Sequence, residues 1–320
     1  MNRNLFGHKS QERSSIKLKL FCDEGGSKDW LYIGLLIVSE KIETILLREL
    51  LNKRCGNPDD NKIWGQCNPK CSRHKNNNTD VHYVEIEKSK DKYFVAERWI
   101  KYLLSDREKI YFYVLGLDLK KLDKSQFGNR RRQNNIYNRF FRTAILKSVK
   151  SYFHKYKSIA IEKIFHDNSR SLETDFYFPW HSIFHIDNKD DKVTFKSRKI
   201  SFIDSDHRKS KNLYSNFIQL IDLLLGCINN CLDHTSKNRD KEALSMKSLP
   251  LVKRLIESPS NKNSRFNYVG RQKIEFFPKY DLRNLDEKSL EYQYKRMKAF
   301  YYHRAIKIEH KNQTLLPFID

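Results

Sequence analysis

Two acidic signals stand where a purely structural segment would carry apolar residues: Asp23 and Glu24 in KLKLFCDEGG, and Asp222 in FIQLIDLLLG. Asp23 ends a period-2 run (Ile16, Leu18, Leu20, Phe21) just before a Gly-Gly break, the pattern of a strand closing at its C-terminal end. Asp222 lies among Leu213, Phe217, Leu220, Ile221, Leu224, Leu225 and Ile228, which recur at helical spacing. A lone carboxylate buried there is expensive, so it calls for a partner. A divalent cation shared by several acids supplies one. Two Mg²⁺ or Mn²⁺ ions held about 4 Å apart by carboxylates activate water and stabilise the leaving oxygen in phosphodiester hydrolysis. Asp suits this chemistry because hard ions prefer oxygen and a short side chain fixes the ion near the backbone. Asp118, Asp167 and Asp204 also close strand-like runs, and ligands of open α/β sheets gather beyond such strand ends. For any one of them, a solvated loop acid or a helix cap is the competing reading, and Asp204 suits it well.

A second set of ligand-type residues lies in CGNPDDNKIWGQCNPKCSRH. Cys55, Cys67, Cys71 and His74 make three thiolates and an imidazole, a full tetrahedral structural zinc set, with His82 as a substitute for His74. A loop-rich segment with few apolar residues gains its fold from such a metal. Free surface thiols are the alternative. Cys227 and Cys231 read as core thiols. Cys22 has no paired histidine motif to make it a nucleophile.

The elements that position these residues alternate. WLYIGLLIVS reads as a second, buried strand joined to the first by a Gly25-Gly26-Ser27 turn, and KIETILLRELLNKR as a helix. Residues 54 to 80 form a loop-rich insertion, after which sheet is expected to resume with VHYVEIEK. A helix from Asp91 to Ser105, the strand IYFYVLGLDL, a basic loop at 128 to 132, a helix through Phe153, and the strands SIAIEKIFHD and KISFID lead to the Asp222 helix. The expectation is an α/β domain over 16–234, after an N-terminal extension of 1–15, with a basic and mainly helical C-terminal appendage over 235–320.

Lys and Arg number 62 against 39 Asp and Glu, a formal charge of +23, so a polyanion is the natural partner and nucleic acid fits best. The start lacks the apolar core of a secretory signal, and the longest apolar helix is broken by Gln219, Asp222, Asn229 and Asn230. No membrane span and a cytoplasmic location are therefore expected, with the cysteines reduced. Arg130, Arg131, Arg132, Arg139 and Arg142, with Lys147 and Lys150, line a helix whose Ile136, Phe140, Ile145 and Val149 face the core, as a phosphate-tracking surface would. Arg208, Lys209 and Lys211 precede the Asp222 helix, placed to hold substrate phosphates.

On CDEGG followed by LYIGLLIV, and on FIQLIDLLLG, the chain resembles the domain of unknown function 3800 family, with its "DESG" opening and "lQlAD" helix. VHYVEI, IYFYVLGLDLKKL, IEKIFHDNS and ISFIDSD follow in the family's order, over roughly residues 16 to 232. Gly25 stands where the family has Ser, and Ile221 where it often has Ala. Members are similar to ribonuclease H-like proteins. The resemblance therefore implies a ribonuclease H-like mixed sheet flanked by helices and a metal-dependent nuclease site. It would make Asp23, Asp167 and Asp222 the Mg or Mn ligands, with Glu24, Asp204 or Asp118 completing the shell. It would also place His82 at a third-strand histidine that touches substrate or moves a proton, a structural histidine being the other reading. The expected function is a metal-dependent nuclease acting on RNA or DNA. The alternative is a non-catalytic nucleic-acid-binding protein of the same fold, including a subunit of a larger defence or mobile-element assembly, with protein partners or a homo-oligomer.

Overall fold

The computed structural model describes residues 13–54, 80–105, 110–128, 132–168, 192–197, 199–205, 212–233, 235–257 and 271–278. Within them, β1 (Arg13–Gly26) and β2 (Trp30–Ser39) form an antiparallel hairpin, and α1 (Glu40–Lys53) follows. A 3-10 turn at Tyr83–Lys88 leads into α2 (Lys90–Ser105), β3 (Tyr111–Asp118), a short 3-10 turn and α3 (Arg132–Phe153). Then come β4 (Tyr156–Asp167), β5 (Val193–Phe195), β6 (Ile200–Ile203), α4 (Ser215–Asp233), α5 (Arg239–Glu257) and β7 (Gln272–Phe277).

The seven strands form one mixed sheet ordered β5-β4-β1-β2-β3-β7, with β6 also beside β4. Only β2 runs against its neighbours; β4 lies parallel to β1, β5 and β6, and β3 parallel to β7. The sheet is apolar on both faces, which is why WLYIGLLIVS is a continuous apolar run rather than an alternating one. Phe21, Tyr32, Leu36, Phe112 and Phe165 point toward α1, α2, α4 and α5. Leu18, Leu20, Ile33, Leu35, Tyr113 and Ile164 point toward α3.

The hairpin differs in detail from the expected Gly25-Gly26-Ser27 turn. β1 continues through Gly26, and the turn is closed by mutual hydrogen bonds between Ser27 and Trp30. Gly26 is required there: its φ is +153°, and a Cβ would sit 2.1 Å from the Trp30 carbonyl oxygen.

Two other expectations are corrected. VHYVEIEK is not a strand: Tyr83–Lys88 is a 3-10 turn that buries Tyr83 and Ile86, three residues apart, beside α4 and α5. Of the expected C-terminal appendage, the described residues do not stand apart: α5 joins the core beside α2 and α4, and β7 extends the sheet beyond β3. The Cys/His insertion, the stretch around FYFPW and SIFHI, and the basic tail after 278 lie outside the described residues.

By length and composition α4 could cross a membrane, but it is mostly buried within the protein, as a core helix. Phe217, Leu220, Ile221, Leu224 and Ile228 are all buried. At about 1.5–3 kcal/mol for each such side chain, they outweigh the cost of carrying a few polar groups on the same helix. The helix can therefore hold Gln219 and Asp222 inside the fold.

Candidate metal centre at the β1, β4 and α4 junction

Three of the expected site residues meet. Asp23 projects from β1 on the same sheet face as Phe21, and Asp167 from β4 on the same face as Phe165; those two rings stack with centroids 5.1 Å apart. Asp222 comes from α4, which packs on that face. Asp23 is only 5 % exposed. Burial pushes its carboxyl well above the usual range, and the charges of Asp222, Asp167 and Glu24 push it further, while the Glu24 N–H, 2.8 Å from Oδ1, acts in the opposite sense. Burial likewise raises Asp167. These carboxylates destabilise one another as anions, and a divalent cation would remove that cost.

The segment before the 3-10 turn closes the site from α4. The Tyr83 N–H donates to Asp222 Oδ2 at 2.6 Å. His82 Nδ1 lies 3.4 Å from the same oxygen, and its Nε2 lies 2.6 Å from Ser205 Oγ and 3.1 Å from Asp80 Oδ1. Burial lowers the imidazole pKa, but Asp222, Asp80 and Asp167 outweigh it and raise it to about 9.

Tyr83 can approach α4 this closely because Gly226 has no side chain. A Cβ there would stand 2.0 Å from Tyr83 Cγ. Gln219, fully buried three residues before Asp222, ties the surrounding segments together: its Oε1 accepts from Val81 N–H at 3.2 Å and from Arg54, and its Nε2 donates to the Ser205 carbonyl. Arg54 also donates from Nε to Asn216 Oδ1 at 2.7 Å and lies 4.7 Å from the Trp99 ring centroid.

Glu24 occupies the other face of β1. Burial raises it to about 7, opposed by its own N–H and by Tyr137. Beside it, His166 is fully buried and pushed down to about 4, so its ring is neutral. Nδ1 then donates to the Asp167 carbonyl at 2.8 Å, and Nε2 lies 2.6 Å from the Tyr137 hydroxyl, whose single proton Glu24 and Nε2 both seek. The 3.3 Å approach of Glu24 Oε2 to Nε2 is therefore not an ion pair at neutral pH.

Other expected residues serve elsewhere. Asp118 accepts from the Lys120 and Lys121 N–H groups and stabilises the turn after β3. Asp204 follows β6, but it is its neighbour Ser205 whose hydroxyl reaches His82. On α3, Arg139 is exposed above the Phe127 ring at 5.5 Å, Arg132 Nε donates to the Gly128 carbonyl, and Arg142 is half-buried, its pKa lowered by burial and by Arg139. The zinc set of Cys55, Cys67, Cys71 and His74 lies outside the described residues, as do Arg130, Arg131, Arg208, Lys209 and Lys211.

Asp80, Tyr83, Tyr137, His166, Ser205, Gln219 and Gly226 escaped the sequence reading. Two of them carried a signal, Gln219 as a second polar residue one helical turn before Asp222, and Gly226 as a glycine one turn after it.

The donor set fits a hard cation. Asp167 Oδ1 is buried with no hydrogen-bond partner, and Asp23 and Asp222 supply further carboxylate oxygens, beside the His82 ring and the Ser205 hydroxyl. Among the described residues, however, no three His, Cys, Asp or Glu side chains are already grouped tightly enough to enclose one. Comparisons with protein-family models, with curated proteins and with solved structures give no match.

Proposed function

We propose that the protein is a metal-dependent nuclease of ribonuclease H-like type, hydrolysing phosphodiesters of RNA or DNA at the junction of β1, β4 and α4. The observation that carries this reading is the meeting of Asp23, Asp167 and Asp222 from three separate elements, close enough for the charges of the other two to raise Asp23. Asp23, Asp167 and Asp222 would hold Mg²⁺ or Mn²⁺, and such an ion supplies an activated water and stabilisation of a departing oxygen. The mixed sheet with flanking helices is the architecture that the family resemblance implies. His82, held against Asp222 and Ser205, would add positive charge beside the carboxylates. A net charge of +23 supplies the attraction for a polyanion. Arg132 and Arg139 lie within two turns of Tyr137, on the helix that backs the site.

The test is cleavage of labelled single-stranded, duplex and hybrid RNA and DNA with Mg²⁺ or Mn²⁺, beside Asp23→Asn and Asp222→Asn. Products from the parent alone, with nucleic-acid binding kept in both variants, support a nuclease. Binding without cleavage by the parent on every substrate favours the non-catalytic reading, which the lack of a tight ligand group among the described residues also fits.

A further inference from the structure

Among the described residues, α3 is the one α-helix without an Asp or Glu, whereas α1 intersperses Glu40, Glu43 and Glu49 with its basic residues. The buried side of α3 packs on Leu18, Leu20 and Ile164. That leaves one outward stripe, on which Arg132, Arg139, Arg142, Lys147 and Lys150 recur at helical spacing. Glu275 on β7 meets this stripe, but it is shared by Lys147 and Lys273. Arg139 and Arg142, one turn apart, set like charge beside like charge, which destabilises a helix, so the fold by itself gains nothing from the pattern.

The stripe also has a direction. Tyr137, near the start of α3, reaches His166 at the carboxylate end of β4, while Tyr152, near its end, donates to the Phe112 carbonyl where β3 begins. The cations therefore start level with the carboxylate centre, on the opposite face of the sheet, and lead away from it for about 27 Å at about 1.5 Å per residue.

We propose that the outer face of α3 is a docking surface for the phosphate backbone of nucleic acid, separate from the carboxylate centre and across the sheet from it. It holds RNA or DNA beyond the segment that reaches the carboxylates, and its role does not depend on their cutting. A duplex advances about 3.4 Å per base pair, so the stripe matches about 8 of them. Guanidinium groups suit phosphate because they can donate two parallel hydrogen bonds. A membrane surface takes exposed Trp, Phe and Leu, and a protein interface is anchored by aromatic side chains; the aromatic rings of α3 are all buried.

The test measures binding of the full chain to labelled single-stranded RNA and duplex DNA of about 20 nucleotides per strand, longer than the stripe, across a range of salt. EDTA is present, so that the carboxylate centre takes no part. Arg139→Gln with Arg142→Gln and Lys150→Gln is expected to weaken binding and to lower the slope of log K against log salt by about 2 to 3, and the pair Arg139→Gln with Lys150→Gln, both exposed, by about 1 to 2. The pair keeps the comparison open should the half-buried Arg142 prove necessary for folding, which thermal melts check. Removing as much charge from α1 and α2 with Lys41→Gln, Arg48→Gln and Lys101→Gln is expected to change the slope far less. An unchanged slope in the folded pair variant overturns the proposal, as does an equal loss in the α1 and α2 variant or a parent that binds neither nucleic acid. Loss of binding to phosphatidylserine vesicles with nucleic-acid binding kept would give the surface to a membrane and overturn it as well.

Discussion

Asp23 and Asp167 lie side by side on parallel strands because β4 carries one residue more than β1 between their lower and upper halves. Leu18 pairs with Ile161, but Lys19 pairs with Lys163, leaving Glu162 as a bulge. Above it, Cys22 pairs with His166, and the next step brings Asp23 level with Asp167. Without that shift the lower register would set Asp23 opposite His166, whose ring belongs to the α3 side. The bulge reverses the parity of β4, so that Ile159 and Ile161 below it and Ile164 above it all face α3.

Deleting Glu162 should therefore be tolerated. It joins Ile161 to Lys163 in a regular ladder and leaves both halves facing as they do now. The expected outcome is a folded protein with the parent's Mn²⁺ affinity, measured by titration. A parent that binds Mn²⁺ as proposed, beside a folded deletion variant that does not, contradicts that register.

Gly226→Ala should uncouple the 3-10 turn from α4. The new Cβ overlaps the Tyr83 ring, so either the turn or the helix must shift, and overpacking of this kind costs about 1–3 kcal/mol. Urea unfolding measures that loss. Because the Tyr83 N–H donates to Asp222, the proposed Mn²⁺ binding should weaken with stability, whereas a change of similar size in the α3 core, such as Ile145→Val, should lower stability alone.

The sheet edge carries an acid-sensitive contact. Glu275 on β7 is buried; desolvation alone would raise its pKa, but Lys147, Lys273 and the Tyr113 hydroxyl hold it down at about 2. A carboxyl depressed in the folded state contributes stability that is complete above its unfolded pKa of 4.5 and is lost as pH falls toward 2. The contribution is on the order of 3 kcal/mol. Stability measured against pH should fall across this window in the parent, and Glu275→Gln should flatten the fall. An unchanged slope in the variant would remove Glu275 as its cause.

The parts legible in sequence were those governed by local pattern. A period-2 run located β1, a continuous apolar run located β2, and helical spacing located α4 with Asp222 upon it. The break in alternation between Ile161 and Ile164 was present in SIAIEKIFHD, but its effect depends on the partner strand. Val81 to Lys88 imitated a strand because Val81 and Tyr83 alternate, while the three-residue step from Tyr83 to Ile86 followed the 3-10 turn. What decided the matter was non-local: the Tyr83 N–H goes to Asp222, 139 residues away, instead of to a neighbouring strand. The polar residues around the carboxylates were illegible for the same reason, since Ser205, Gln219 and His166 gain their roles only from what folding brings against them. β7 is short and sits in a basic stretch, where its alternating Gln272, Ile274 and Phe276 gave little contrast.

The most direct measurement is the metal-dependent hydrolysis rate of the parent on a labelled nucleic acid, beside Asp23→Asn, Asp167→Asn and Asp222→Asn. A shared cation centre predicts that each substitution lowers the rate by about 10³-fold, equivalent to roughly 4 kcal/mol of lost transition-state stabilisation, and that chelation abolishes cleavage while binding persists. Cleavage that survives chelation, or that survives neutralisation of any one of the three carboxylates, would contradict it.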